Sequence, residues 1–184
     1  LLTDGMGSKK DILDNLVNLA RRTRISDIVV FYFSGYSAAL KTEQGIEYFL
    51  VPYDALPEKL SETAISFNEI GSLLEKNCEA GEIIFILDTS FGSTISGKTI
   101  QSDGKADLKA VAKALGSRAF VLFAGESTQP ANVFMELKSS LLTFFVIEAL
   151  KKGDANRDGL VSITEACIYA KNRVKATSEF RGRT

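Results

Sequence analysis

The sequence predicts an α/β fold of three layers, in which a mostly parallel sheet carries helices on both faces. Four apolar runs rich in β-branched and aromatic residues indicate buried strands. Helical patterns separate most of these runs, which is the order expected of parallel strands joined by crossover helices. The length of 184 residues suits one domain with a substantial hydrophobic core.

The first half of the chain begins with a helix, for which Ser8 is the expected N-cap. Pro52 ends the second predicted strand, and Ser66 and Glu69 have the spacing of a capping box. The predicted elements of this half are a helix over 11–22, strands over 27–33 and 46–51, and a helix over 66–76.

The second half continues with the same alternation and ends in two helices. Its predicted elements are strands over 82–87 and 118–124 and helices over 105–115, 139–151 and 162–174. The segments 57–63 and 94–104 are expected to be exposed loops, the second because it is rich in Ser, Thr and Gly.

Charge and cysteine content exclude several classes of function. With 22 basic and 23 acidic residues, the chain has no bulk charge with which to recognise nucleic acid or an anionic membrane. Cys78 and Cys167 form no disulfide framework and no metal-ligand spacing, which indicates a reduced, cytoplasmic protein. No run is long enough to span a membrane, and no signal peptide is recognisable. The opening residues Leu1–Asp4 read like the end of a strand or loop, so we expect a fragment whose upstream strand is missing.

Two segments resemble the halves of a cysteine–histidine active site, yet the chain contains no histidine. Segment 31–37 reads FYFSGYS and segment 85–93 reads FILDTSFGS. Each is an apolar run that breaks into a small polar turn, as where a buried strand delivers side chains to the rim of a sheet. Such a site would place its base after the first run and its thiolate after the second. Tyr36 and Ser90 occupy these two positions.

These motifs resemble the caspase-like superfamily, in particular its metacaspase and orthocaspase branch. Family members carry a strand ending in Phe-Tyr-Phe-Ser-Gly-His-Gly and a later strand ending in Asp-x-Cys-x-Ser-Gly. Between the two lies a Tyr-Leu-x-Pro-x-Asp-Ala stretch, which residues 48–55 match with YFLVPYDA. The resemblance implies a caspase-like fold with a p20-like part over 1–97, a linker over 98–104 and a p10-like part over 105–184. The family's first strand has no counterpart in this chain.

The departures from the family pattern fall on the catalytic positions. Tyr36 replaces the histidine, Ser37 the following glycine and Ser90 the nucleophilic cysteine, while Gly92-Ser93 replaces Ser-Gly. A Tyr/Ser pair resembles the pseudo-orthocaspases, which lack the usual dyad. In the family the N–H of the residue after the histidine serves as an oxyanion donor, so Ser37 places that donor in doubt. Lys98 and Lys105 lie in the loop that active relatives process themselves, and we expect this loop to stay uncut.

Ser34 and Asp88 match positions that line the pocket for a basic substrate residue in the Arg/Lys-specific branch. The resemblance therefore implies a pocket that still accepts a basic side chain. A carboxylate at a strand end also commonly caps the following segment, and this alternative reading of Asp88 stays open.

Chemistry argues against catalysis by Tyr36 and Ser90. A serine hydroxyl needs a positioned general base, whereas tyrosine has a pKa of about 10 and is almost entirely neutral at pH 7. A cation beside Tyr36 would be needed to lower that pKa, and the nearest in sequence is Lys41. We therefore expect a pseudo-protease, with a hydrolase that uses Ser90 and Tyr36 as the alternative.

Residues 154–165 fit the template of a calcium-binding loop between two helices. Gly159 supplies the sharp turn at the sixth position. The expected ligands are Asp154, Asn156, Asp158, the Leu160 carbonyl, Ser162 and Glu165. A metal-free turn explains the same residues, because Asp, Asn and Gly form turns and Ser162 with Glu165 makes a capping box. Calcium is therefore one of two open interpretations.

Three functions follow from these patterns. The first is a pseudo-protease that binds a peptide or protein with basic residues, the second the hydrolase, and the third a calcium-responsive interaction module. For each we expect a monomer without nucleic-acid or membrane partners.

Overall fold

The computed structural model describes residues 1–43, 45–91, 94–95, 98–99, 107–124, 133–134 and 139–181, of which 90–91, 94–95, 98–99, 133–134 and 179–181 are described by their backbone alone. The chain divides into two compact units, Leu1–Pro130 and Ala131–Thr184. The division falls later in the sequence than the linker expected over 98–104.

The predicted α/β architecture is confirmed. The strands in chain order are β1 (Ile28–Thr42), β2 (Gly45–Val51), β3 (Ile65–Ser66), β4 (Glu82–Phe91), β5 (Thr94–Ile95), β6 (Lys98–Thr99), β7 (Ala119–Phe123), β8 (Val133–Phe134) and β9 (Ser139–Ser140). The helices are α1 (Lys9–Ala20), α2 (Leu60–Thr63), α3 (Phe67–Asn77), α4 (Leu108–Leu115), α5 (Leu141–Lys152) and α6 (Ile163–Arg181). A five-stranded sheet has the order β3-β2-β1-β4-β7.

The sheet of the first unit is mixed. Strands β1, β4 and β7 run parallel to one another, while β2 is antiparallel to β1 and to β3. The parallel strands are joined by crossovers that contain helices, as the sequence predicts. The caps predicted at two helices are confirmed, because Ser8 Oγ accepts a hydrogen bond from the Asp11 N–H and Ser66 Oγ accepts one from the Glu69 N–H.

Helices α1, α3 and α4 cover one face of this sheet, which we call the core face. Phe67 of α3, Phe85 of β4 and Val111 of α4 are fully buried and belong to one cluster with Leu16 of α1. Because side chains alternate along a strand, Val29, Phe31, Phe33 and Ser37 point to this face. We call the opposite side of β1 its outer face; it carries Ile28, Val30, Tyr32, Ser34 and Tyr36, all of them exposed.

A second, smaller cluster lies beside the β1–β2 hairpin, on the same side as the outer face. It contains Ala38, Phe49, Val51 and Ala64, together with Leu60 of α2. The expectation of an exposed loop over 57–63 is therefore wrong, because a 3₁₀ turn at Pro57–Lys59 leads into α2 and Leu60 is buried. Burial of one leucine against the hairpin is enough to order this short segment.

Both strands that carry the catalytic-position motifs are longer than predicted. β1 continues through Thr42 because its second half pairs with β2, and β4 continues through Phe91 in register with β1. Part of the segment 94–104, expected as a loop, forms the short β5–β6 pair; its remaining residues lie outside the described part.

The second unit contains α5 and α6, which pack against each other, and the β8–β9 pair. Ala149 of α5 and Ala166 and Ala170 of α6 are buried, and the Arg173 guanidinium lies 5.1 Å from the centre of the Phe145 ring. Helix α6 is longer than the predicted 162–174. Among the helices that the structure describes, none is long and apolar enough to cross a membrane.

Candidate functional site

Tyr36 and Ser90 are direct neighbours in the sheet. They are register partners on the parallel strands β1 and β4, so their Cα atoms are about 4.8 Å apart. Tyr36 lies on the outer face and is 45% exposed. The two positions therefore come together as the motifs predict, although both lie within strands and not beyond strand ends.

Ser34 and Asp88 form the adjacent register pair on the same two strands. They lie two residues before Tyr36 and Ser90, so the backbone places all four positions on the outer face. Ser34 is exposed, whereas Asp88 is only 3% exposed. The Tyr32 hydroxyl donates a 3.4 Å hydrogen bond to Asp88 Oδ2. A buried carboxylate thus lies beside an exposed tyrosine and across from a small side chain.

Ser37 points away from the candidate site. It is fully buried on the core face, where its Oγ accepts a 3.0 Å hydrogen bond from the Thr89 hydroxyl. Ser37 has register partners on both sides, Leu50 in β2 and Phe91 in β4. Whichever strand its backbone N–H faces, that N–H is directed at a sheet neighbour and not at a bound substrate.

No cation is described beside Tyr36 among the residues whose side chains the structure places. Lys41 lies five residues further along β1, about 17 Å away, and alternation puts its side chain on the opposite side of the sheet. The register partner of Tyr36 on its other side is Val51, an apolar residue. The described surroundings therefore offer Tyr36 no group that would turn its phenol into a base.

The motif between the two strands has a structural role. Asp54 Oδ1 accepts a 2.8 Å hydrogen bond from the Lys9 N–H, and the Tyr53 N–H donates to the Gly7 carbonyl. Asp54 therefore caps the first turn of α1 and ties the end of β2 to it. Gly92, Ser93 and Lys105 lie outside the described residues, and Lys98 is described only as backbone of β6.

Neither cysteine is placed as a substitute nucleophile. Cys78 is 5% exposed and its Sγ lies 3.4 Å from the Thr23 hydroxyl at the far end of α3. Burial raises the pKa of the Cys167 thiol, whereas a reactive cysteine needs a lowered one.

The loop over 154–165 is closed by its own hydrogen bonds. Asp154 accepts from the N–H groups of Asp158 and Gly159, and Asn156 Oδ1 accepts from the Asp158 N–H. Glu165 Oε1 accepts from the N–H groups of Ala155 and Asn156.

Glu165 also accepts hydrogen bonds from the Ser162 N–H and hydroxyl through Oε2. The Ser162 N–H, then its hydroxyl, and then the Asn156 and Ala155 N–H groups lower the pKa of the Glu165 carboxyl. The backbone has positive φ at Arg157, 63°, and at Gly159, 87°. The predicted sharp turn at Gly159 is therefore present.

The predicted calcium ligands surround one loop, but their carboxylates are engaged by its backbone. Leu160 donates its N–H to Asp158 Oδ1, and its side chain is exposed. Within the described part of the chain, no group of three or more His, Cys, Asp or Glu side chains is arranged to hold a metal ion. The loop as described is a hydrogen-bonded helix–loop–helix connection.

Sequence reasoning missed Tyr32 and Thr89. Tyr32 contacts Asp88, and Thr89 contacts Ser37. Both could have been found from strand alternation, because Tyr32 is two residues before Ser34 and Thr89 shares the face of Ser37 once the strands are in register.

Comparison with known proteins gives a family but no characterised relative. No curated protein matches the chain. Among solved structures, the crystal structure of protein GSU0716 from Geobacter sulfurreducens matches with 15% sequence identity and a TM-score of 0.39, covering 48% of this chain and 32% of that one. The chain thus spans about a third of that protein's length, and so weak a likeness carries no argument. A family model described as Peptidase_C14, caspase domain, matches residues 6–183. The chain belongs to the caspase domain family.

Proposed function

We propose that this protein is a pseudo-protease of the metacaspase and orthocaspase branch, which binds a basic segment of a peptide or protein without cleaving it. The observation that carries the proposal is the register of β1 and β4. It aligns Tyr36 with Ser90 where the family has its dyad, and it aligns Ser34 with the buried carboxylate of Asp88. The catalytic positions have lost their chemistry, while the acidic position next to them is kept.

Three features support the lack of catalysis. The chain has no histidine, so any base for Ser90 would have to be of another type. Tyr36 has no cation beside it among the described side chains. The backbone N–H of Ser37 faces a neighbouring strand, which removes the donor that would hold an oxyanion.

Burial and position support Asp88 as the recognition group. A carboxylate that is 3% exposed is stabilised by charge-assisted hydrogen bonds, and a guanidinium or ammonium group supplies these better than the Tyr32 hydroxyl at 3.4 Å. The small side chain of Ser34 leaves space opposite the carboxylate. An arginine or lysine side chain would enter over Ser34 and displace Tyr32.

The test is binding of a fluorescent Arg-containing peptide to the wild type and to Asp88→Asn. We expect at least a tenfold loss of affinity in Asp88→Asn, because truncating one member of a desolvated charge pair is costly. Asp14→Asn, which removes an exposed carboxylate of α1, is the matched control and should bind like the wild type. Equal affinity in all three proteins would contradict a role for Asp88.

The alternative is a hydrolase in which Ser90 attacks and Tyr36 assists. It is favoured by the register pairing, which brings the two residues within reach of each other. A fluorophosphonate probe tests it: labelling of the wild type that disappears in Ser90→Ala would support this second function. We expect no labelling.

We further propose calcium binding at loop 154–165 as a third, independent function. Its support is the positive φ at the fourth and sixth loop positions and the convergence of four ligand-type side chains. Calcium would replace internal hydrogen bonds of the loop, so the expected dissociation constant is weak, on the order of 10⁻⁵ to 10⁻³ M. Calorimetry at millimolar calcium measures it, with Glu165→Gln as the non-binding control; absence of heat in the wild type removes this function.

A monomeric, cytoplasmic protein remains part of the proposal. The support is limited to charge balance and to two free cysteines, one of them buried.

A further inference from the structure

β1 has an open backbone edge over its first half. β4 pairs with β1 from Ile28 to Ser37, but β2 pairs with it only from Tyr36 to Thr42. Residues 28–35 therefore have a strand on one side only, among the residues that the structure describes. These eight positions extend over about 26 Å.

The composition of this edge is that of a strand with neighbours on both sides. Segment 28–35 reads IVVFYFSG, without charge or proline. Natural edge strands protect themselves with lysine, proline or a bulge, because unpaired N–H and C=O groups template another strand. This edge has no such side chain, and Ile28 and Val30 beside it are 59% and 54% exposed.

The ends of the edge limit what it accepts. A turn at Arg24–Asp27, closed by the Asp27 N–H to the Arg24 carbonyl, precedes it. At the other end Val51 of β2 pairs with Tyr36 and blocks further extension. An added strand must therefore fit within about eight residues and stop beside Ser34 and Gly35.

The blocked end brings the added strand close to Asp88. A residue placed beside Ser34 would be one strand away from β1 and about 9.6 Å from the Asp88 Cα, two strand spacings. Only the short side chain of Ser34 stands between them on the outer face. An arginine or lysine side chain is long enough to cross this gap.

We propose that the open edge of β1 binds an extended segment of a partner protein as an added strand, with apolar side chains over Ile28 and Val30 and a basic residue beside Ser34 that reaches Asp88. Backbone hydrogen bonds supply affinity and alternate side chains supply selectivity, as in strand addition generally. This inference rests on the proposed function, since it names how the basic partner is held, but its backbone contacts do not depend on Asp88.

The test uses fluorescent octapeptides of alternating valine and threonine with one arginine, placed at the N-terminal end in one peptide and at the C-terminal end in another. For the tighter binder, two further versions carry N-methyl groups on alternate backbone amides, shifted by one residue. Only one set of amides faces β1, so we expect one version to bind at least tenfold more weakly and the other to bind like the parent. Amide hydrogen exchange within 28–35 should slow in the complex.

Several outcomes would overturn the proposal. Equal binding by both N-methylated versions, or no slowing of exchange within 28–35, would show that no strand is added. A dimer of the protein alone with these amides already protected would assign the edge to a second copy. Asp88→Asn separates the two claims: it should reduce affinity for the arginine peptide to that of an arginine-free peptide, yet keep the tenfold difference between N-methylated versions.

Discussion

Ser37 shows that a departure at a catalytic motif can belong to the core. Its hydroxyl is fully buried, on the face opposite Tyr36, and pairs with the hydroxyl of Thr89 across β1 and β4. The hydrogen bond satisfies two polar groups that would otherwise be buried at a cost. Ser37 and Thr89 are therefore a matched pair, and Ser37 does not obstruct the outer face.

Thr89→Val tests this pair. The substitution keeps the shape of the side chain but leaves the buried Ser37 hydroxyl without its donor, which costs about 1–3 kcal/mol of unfolding free energy. Urea denaturation measures the loss. The double variant Ser37→Ala with Thr89→Val is the control, because it removes both polar groups, and it should lose less than the sum of the single variants. Additive losses would contradict the pairing.

At the scale of elements, α3 and α4 make their closest contact at Gly71. A Cβ at this position would come within 2.0 Å of the Ala114 carbonyl oxygen. Only glycine therefore lets the two helices pack so closely over β4, and this contact fixes the first unit behind the candidate site.

Gly71→Ala should destabilise the protein by about 1–3 kcal/mol, because it forces two backbones apart in a packed core. Gly5→Ala is the matched control, since a Cβ at Gly5 meets nothing within 4 Å. Thermal and urea unfolding of both variants give the comparison. A Gly71 variant as stable as the Gly5 variant would refute the close packing of α3 and α4.

In the second unit, Glu148 of α5 is held by Lys152 at 2.8 Å and lies 3.7 Å from the Arg173 guanidinium of α6. The hydrogen bond from Lys152, assisted by its charge, by Tyr169 and by Arg173, lowers the pKa of the Glu148 carboxyl below its ordinary value of 4.5. A lowered pKa stabilises the folded state above the unfolded value, and this contribution disappears as pH falls through the folded value.

Glu148→Gln should therefore lower the unfolding temperature at pH 7, and the gap to the wild type should close below pH 4.5. Thermal unfolding between pH 3 and pH 7 measures the gap. Glu75→Gln, at an exposed position of α3, controls for general charge effects. A gap that is constant with pH would contradict a stabilising role of the ionised carboxylate.

The elements were predictable where local pattern decided them. The helix caps at Ser8 and Ser66 and the apolar cores of β1 and β4 follow from residue type and spacing. The length of β1 did not follow, because its second half, Tyr36–Thr42, is a strand only through pairing with β2. Helix α2 was missed for a similar reason, since Leu60 is ordered by a cluster formed by residues distant in sequence.

For the candidate site, sequence reasoning identified the four positions 34, 36, 88 and 90 but not their partners. Register between parallel strands is a tertiary property, and it determines that Tyr32 reaches Asp88 and that Ser37 meets Thr89. The open edge of β1 could likewise not be read from its apolar run, because that run predicts a strand with two neighbours.

At the scale of the whole molecule, the caspase domain fold brings the catalytic positions together with neither a histidine nor a cysteine at them. What the outer face offers is an exposed tyrosine, a small serine and a buried carboxylate beside an open strand edge. These groups suit recognition of an extended basic segment and do not suit acyl transfer. Binding without cleavage is the central claim of this account.

The most direct measurement follows one Arg- and Lys-containing peptide in one sample. Fluorescence anisotropy reports its binding, and mass spectrometry after prolonged incubation reports its cleavage, with Ser90→Ala in parallel. The account predicts saturable binding, an intact peptide and identical behaviour of the Ser90→Ala variant. Cleavage after a basic residue that disappears in Ser90→Ala would contradict it.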